Sequence, residues 1–99
     1  MPASSDLETL KKVLLVGPPL PDEAVWEVYE DTCVHCGGQA HSIHELIPRS
    51  LAPDSWDRAR NRVLLCGRDH RWAQEGPLDK ALQLRAEADE LLDMPLTLC

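Results

Sequence analysis

Cysteine and histidine residues in the middle of this chain have the spacing of metal ligands. Cys33 and Cys36 form a Cys-x-x-Cys pair, and Cys66 follows further along the chain. Thiolates arranged in this way bind zinc, so the three cysteines predict a structural metal site. His44, Asn61 and His70 could hold a second divalent ion, and such an ion can activate water for hydrolysis.

The composition indicates a small domain with a thin core. The chain has 99 residues, no phenylalanine and only three tryptophans and one tyrosine, so leucine and valine must supply most of the core. Domains of this size often need a structural metal. No run approaches the roughly 18 apolar residues of a membrane span. The Cys-x-x-Cys spacing, without a secretory signal, favours metal binding over disulfides.

The net charge of -7 opposes binding to nucleic acids, because phosphate neutralisation requires lysine and arginine. The charge is uneven along the chain, however. Residues 1–32 carry seven acids against two lysines, whereas residues 41–71 carry six arginines against four acids. Arginine suits bidentate contact with phosphate. The acidic flanks predict weak nonspecific affinity for DNA and could instead face a larger protein partner.

Apolar periodicity predicts helices at both ends of the chain and short strands in its centre. Ser5 and Glu8 form a capping box that begins the first helix. The second helix is the less certain element, because its β-branched residues would also suit a strand. In order, the predicted elements are a helix over about 5–16, a helix from Asp22, strands over 39–47 and 62–65, a helix over 69–74 and an amphipathic helix from Pro77 that Pro95 ends.

The segment from Cys33 to about Trp72 resembles the HNH (His-Asn-His) endonucleases of the ββα-metal fold, especially the small versions with a zinc knuckle found in bacteriophage genomes. The matching motifs are Cys33-x-x-Cys36, the run from His44 to Ser50, Asn61 with Cys66, and Asp69-His70. Together with the predicted flanking helices, which lie outside it, the resemblance implies an α+β fold in one compact domain. Its parts are an N-terminal helical extension over 1–32, an HNH core over 33–76, and a C-terminal helix and tail over 77–99.

The resemblance also implies roles for individual residues. His44, Asn61 and His70 would hold a divalent ion such as Mg²⁺ or Mn²⁺ against the scissile phosphate, although Asn61 could instead orient the loop. Glu45 takes the position of the general base. Arg49 or Arg71 would offset charge in the transition state. The catalytic residues expected are therefore His44, Glu45, Asn61, His70 and Arg49.

Two positions depart from the family pattern. Glu45 stands where the base is usually a histidine, and His41 is a less favoured substitute. Neighbouring strand residues face opposite sides, so His44 and Glu45 can share one site only at a bulge or strand end. Asp69 stands where the fourth zinc cysteine is usual. We expect Zn²⁺ at Cys33, Cys36, Cys66 and Asp69, with His35 as an alternative ligand and an empty knuckle as another.

Three functions remain open from the sequence. The first is a metal-dependent HNH endonuclease or nickase that hydrolyses DNA phosphodiester bonds in the cytoplasm, which is that of the host cell if the chain is phage-encoded. The second is a catalytically degenerate HNH-fold zinc module that acts as a protein- or DNA-binding or regulatory subunit. The third is a structural zinc domain that binds no nucleic acid. Membrane association is not expected.

Overall fold

An antiparallel pair of strands followed by a helix forms the centre of the fold. A computed structural model describes residues 6–93, and within this range the chain is an α+β domain with four α-helices and one two-stranded sheet. Two short 3₁₀ turns, Arg49–Leu51 and Ala59–Asn61, lie in the connection between the strands. The elements are α1 (Leu7–Leu14), α2 (Asp22–Tyr29), β1 (Ser42–Glu45), β2 (Arg62–Leu65), α3 (Gly67–Gln74) and α4 (Pro77–Leu92).

The two N-terminal helices form where the sequence predicts them. Asp6 caps α1, because its carboxylate accepts a hydrogen bond from the backbone N–H of Glu8 at 3.2 Å. Ser5, the predicted cap, lies outside the described residues. Residues 22–29 are helical rather than extended, and α2 ends at Glu30, whose φ of 52° is left-handed.

Strand β1 is shorter than predicted, whereas β2 has the predicted bounds. The backbone N–H of Ala40 donates to the carbonyl of Asp31, so residue 40 belongs to the turn that contains Cys33 and Cys36, before β1. At the other end, the N–H of Ile47 donates to the side chain of Asn61 at 2.8 Å. The predicted strand over 39–47 is therefore only Ser42–Glu45 long. At Ile47 a side chain, and not the backbone of a partner strand, accepts the hydrogen bond.

Helix α3 begins two residues earlier than predicted. Cys66 is its N-cap residue, and the Cys66 sulfur accepts a hydrogen bond from the backbone N–H of Asp69 at 3.5 Å. Pro77 begins α4 at a position where proline needs no backbone N–H. Pro95, which was predicted to end α4, lies outside the described residues.

One core joins the central segment to the flanking helices. The buried Arg85 of α4 is fully paired there, because it donates to the Tyr29 hydroxyl at 2.9 Å and to the Arg60 carbonyl at 2.7 Å. No helix within residues 6–93 has the length and apolar character needed to span a membrane. The fully buried apolar side chains include Leu10, Leu14, Val25, Leu46, Ile47, Val63, Leu64, Leu65, Ala81, Leu84 and Ala88.

Candidate functional site

Three cysteines and one aspartate converge beside the N-terminus of α3. One ligand atom from each of Cys33, Cys36, Cys66 and Asp69 lies within 4.8 Å of all the others. The Sγ of Cys33 donates to Asp69 Oδ2 at 3.3 Å, and the Sγ atoms of Cys36 and Cys66 are 3.9 Å apart. Within residues 6–93 no other group of three or more such residues converges in this way. The cluster could hold a metal ion, and four donors with three thiolates suit zinc.

Backbone N–H groups surround the sulfur atoms of the cluster. The N–H of Cys36 donates to Cys33 Sγ at 3.5 Å, and the N–H of Gly38 donates to Cys36 Sγ at 3.4 Å. Gly37 has a φ of 80°, a conformation that glycine adopts without strain, and it allows this turn. The N–H groups favour negative charge on the sulfurs, which is the form that binds a metal.

Asp69, rather than His35, supplies the fourth donor of the cluster. The Nδ1 of His35 is 2.7 Å from Glu87 Oε1, and its ring stacks on Trp72 with 4.6 Å between centroids. Burial acts to raise the pKa of Asp69, but hydrogen bonds from the three thiols and the charge of His35 lower it. Burial raises the pKa of Cys33 to about 11, so a metal ion must displace its proton on binding.

His44 of β1 and His70 of α3 face each other. Their ring centroids are 5.0 Å apart and their planes make an angle of 74°. Ser42 Oγ lies 2.6 Å from His70 Nδ1, which fixes the ring orientation and leaves Nε2 free of hydrogen bonds among the described residues. Ser42 was not predicted as a site residue. Its position two residues before His44, on the same face of the strand, is the pattern that would have indicated it.

The His44 imidazole is buried with an unused nitrogen. Only 4% of the residue is exposed, and Nε2 has no hydrogen-bond partner among the residues that the structure describes. Burial and the neighbouring His70 lower the pKa of His44 to about 4. Burial also lowers the pKa of His70, although Glu45 opposes the shift. Both rings are therefore neutral near pH 7, the form that binds metal ions, and the unpartnered nitrogen fits a ligand role.

The low pKa of His44 predicts a loss of stability in mild acid. Its folded-state pKa of about 4 lies below the ordinary 6.5, so the unfolded state binds the proton first. The stabilising contribution is complete above pH 6.5 and is lost as the pH falls towards 4. Between pH 6.5 and 5 the loss should be about 2 kcal/mol relative to His44→Phe. Urea unfolding of the zinc-loaded wild type and of zinc-loaded His44→Phe across this pH range measures the loss. If the free energies of unfolding of the two proteins change in parallel with pH, the low pKa of His44 is contradicted.

Asn61 lies outside the histidine pair and holds the connecting loop. Its side chain is fully buried; Oδ1 accepts from the Ile47 N–H, and Nδ2 donates to the carbonyls of Ile47 and Trp56 at 3.1 and 2.9 Å. These bonds use the polar atoms of the amide. Metal ligation by Asn61 stays a prediction, and these hydrogen bonds favour the alternative role, orienting the loop.

Glu45 and Arg49 lie with the two histidines along one cleft of about 410 Å³. His44 and Glu45 share the cleft because β1 ends at Glu45. Arg71, the alternative to Arg49, does not line it. The remaining lining residues are Ile43, Pro48, Gln74 and Pro77.

Two arginines donate hydrogen bonds to the Glu45 carboxylate at the edge of this cleft. It accepts from Arg49 at 3.3 and 3.5 Å and from Arg62, its cross-strand partner, at 3.4 Å. The guanidinium of Arg49 lies 3.7 Å from the centroid of the Trp56 ring. Arg62 and Trp56 were not predicted to take part in the site, because a buried arginine is rare and only the strand register reveals it.

Comparisons of this chain with known proteins found no match. No protein-family model, curated protein or solved structure matches this chain. The geometry of the site and the motifs in the sequence are therefore the basis for a function.

Proposed function

We propose that this chain is a metal-dependent endonuclease or nickase of the HNH type that hydrolyses DNA phosphodiester bonds. The observation that supports this most is the pair formed by His44 on β1 and His70 on α3, whose ring centroids are 5.0 Å apart. The order of strand, strand and helix around this pair is the one that the resemblance implies for a ββα-metal core. Arg49 and Glu45 line the same cleft.

In this proposal each side chain of the cleft has a separate task. His44 and His70 hold the divalent ion through neutral imidazoles, and Ser42 orients the ring of His70. When bound, the ion supplies Lewis-acid stabilisation of charge on the phosphoryl group. Arg49 pairs with a phosphate oxygen. Glu45 accepts a proton from the attacking water as the water oxygen bonds to phosphorus and the bond to the leaving sugar oxygen breaks. The leaving oxygen takes up a proton from solvent.

A structural zinc ion in the cysteine cluster would hold in place α3, the helix that carries His70 into this cleft. Cys66 caps α3, and Asp69 precedes His70 in the same helical turn. A metal bound by Cys66 and Asp69 therefore fixes the helix end that presents the His70 imidazole. We propose that zinc has this positioning role and takes no part in the hydrolysis.

Relaxation of supercoiled plasmid DNA tests the proposed activity. The protein is purified with its zinc retained and freed of other ions by desalting, since a chelator would also strip the cysteine cluster. Adding Mg²⁺ or Mn²⁺ should convert supercoiled plasmid to the nicked form at a rate that rises with ion concentration. Failure to nick with any divalent ion, by a folded and zinc-loaded protein, would rule the activity out.

The alternative function is a degenerate HNH-fold module that binds a protein or DNA without cutting it. One observation favours it: both oxygens of Glu45 already accept hydrogen bonds from arginines, so the usual base position is engaged. This alternative predicts no nicking under any metal, together with a stable complex with a larger protein. Pull-down from the native host, with the plasmid assay run in parallel, separates the two functions.

A further inference from the structure

The Glu45 carboxylate is shared between two arginines by long hydrogen bonds. Oε1 accepts from Arg49 Nε at 3.3 Å, and Oε2 accepts from Arg49 Nη2 at 3.5 Å and from Arg62 Nη2 at 3.4 Å. Strong charge-assisted bonds of this kind measure about 2.7–2.9 Å. The contact with Arg49 is also partly open to solvent, and such ion pairs are weak. An anion of better geometry can therefore replace Glu45 at Arg49.

Arg62 does not depend on Glu45 for its position. Its guanidinium is 2% exposed and donates to the Leu20 carbonyl and to Asp22 Oδ1, both at 2.7 Å. These two short bonds remain if the Glu45 carboxylate moves or is neutralised. Arg62 is thus a fixed partner of the Glu45 carboxylate, whereas Arg49 can exchange this carboxylate for another anion.

Arg49 is preorganised to bind an anion in the cleft. Its side chain is 58% exposed, yet the guanidinium lies 3.7 Å from the Trp56 ring centroid, which holds the group in place without help from Glu45. Within residues 6–93, its N–H groups have no acceptor apart from the Glu45 carboxylate. The planar guanidinium matches two oxygens of a phosphate. His44 and His70 line the same cleft.

We propose that Arg49 is a phosphate-binding site whose resident occupant is the Glu45 carboxylate, and that the substrate phosphate displaces this carboxylate. The proposal rests on the proposed function for its choice of phosphate as the ligand. Displacement leaves Oε2 on Arg62 and removes from Oε1 its only arginine donor within residues 6–93. Oε1 then becomes free to accept a proton from water, so binding of the phosphate itself prepares the base.

Titration with inorganic phosphate tests the displacement without any cleavage. The zinc-loaded protein, free of Mg²⁺ and Mn²⁺, is followed by NMR at the Arg49 Nε–Hε group. Phosphate should shift this resonance, and Glu45→Gln should bind phosphate about fivefold more tightly because the competing charge is gone. Glu23→Gln is the matched control: it makes the same substitution at an exposed glutamate of α2 outside the cleft, and should leave the affinity unchanged.

Two further variants and one wild-type measurement complete the test. Arg49→Gln should abolish the phosphate response, whereas Arg71→Gln, which removes an exposed arginine of α3 outside the cleft, should preserve it. In the wild type the Glu45 carboxylate carbon should shift with the same dissociation constant as Arg49 Nε, which keeps the proposal testable if Glu45→Gln fails to fold.

The proposal is overturned if Arg49 Nε does not respond to phosphate, if Glu45→Gln binds phosphate no more tightly than the wild type, or if Glu23→Gln tightens binding equally. Failure of the proposed function has a different signature. A protein that never nicks plasmid, yet shows the phosphate-linked shifts of Arg49 and Glu45, would lose the nuclease assignment and keep the anion site.

Discussion

Replacing Cys33 by serine is expected to release the metal ion from the cysteine cluster and to destabilise the domain strongly. Cys33 is fully buried, and its sulfur contacts Asp69 and the backbone of Cys36. Structural zinc in small domains contributes binding energy directly to folding. Since small domains are stable by only about 5–15 kcal/mol, we expect the free energy of unfolding to fall by about 3 kcal/mol or more. Urea unfolding with elemental analysis measures both effects.

Cys99→Ser is the matched control for this experiment, because it makes the same substitution at a cysteine outside the predicted set of zinc ligands. It should keep one equivalent of zinc and wild-type stability. Asp69→Cys should also keep zinc, since it restores a fourth thiolate, whereas Asp69→Asn should weaken binding. A Cys33→Ser protein that retains zinc and wild-type stability would show that the cluster is not a structural metal site.

Alanine in place of either His44 or His70 is expected to lower plasmid nicking about a thousandfold. Both imidazoles are assigned to one ion, so removing the second ring from a protein that already lacks the first should cost little more. Such non-additivity is typical of residues that act as a unit. Single-turnover nicking by the wild type, the two single variants and the double variant measures the four rates.

His41→Ala serves as the control, because His41 is exposed, lies just before β1 and does not line the cleft. It should nick at the wild-type rate, and zinc content and circular dichroism should be unchanged in every variant. Losses that multiply in the double variant would mean that the two histidines act separately. A large loss in His41→Ala with full activity in His70→Ala would move the site to the substitute base considered from the sequence.

Local sequence patterns predicted the elements of the fold better than their ends. The bounds of β2 and the helical state of residues 22–29 followed from apolar spacing and from acids at a helix start. The ends of β1 did not, because Leu46 and Ile47 are as apolar as strand residues. Their backbone N–H groups bond instead to Asn61, at its carbonyl and its side chain. Only the folded loop brings that partner within reach.

The candidate site was predicted as a set of residues, but the partnerships within it were not. The convergence of the three cysteines could be predicted from their spacing, and that of Asp69 from the position that it takes in the resemblance to HNH endonucleases. The pairing of Glu45 with Arg62 depends on the strand register, and the use of the Asn61 amide depends on carbonyls of Ile47 and Trp56. Sequence motifs name donors and acceptors. They do not show which of these groups already form hydrogen bonds with the backbone in the folded chain.

A manganese anomalous-scattering map from crystals of the zinc-loaded protein tests the assignment of the two histidines most directly. The crystals are soaked in Mn²⁺ at neutral pH, where both imidazoles are neutral. We predict one manganese peak in the cleft, within bonding distance of a nitrogen of His44 and a nitrogen of His70. A fully soaked crystal with no peak between these rings, or with manganese bound only elsewhere, would contradict the proposed catalytic centre.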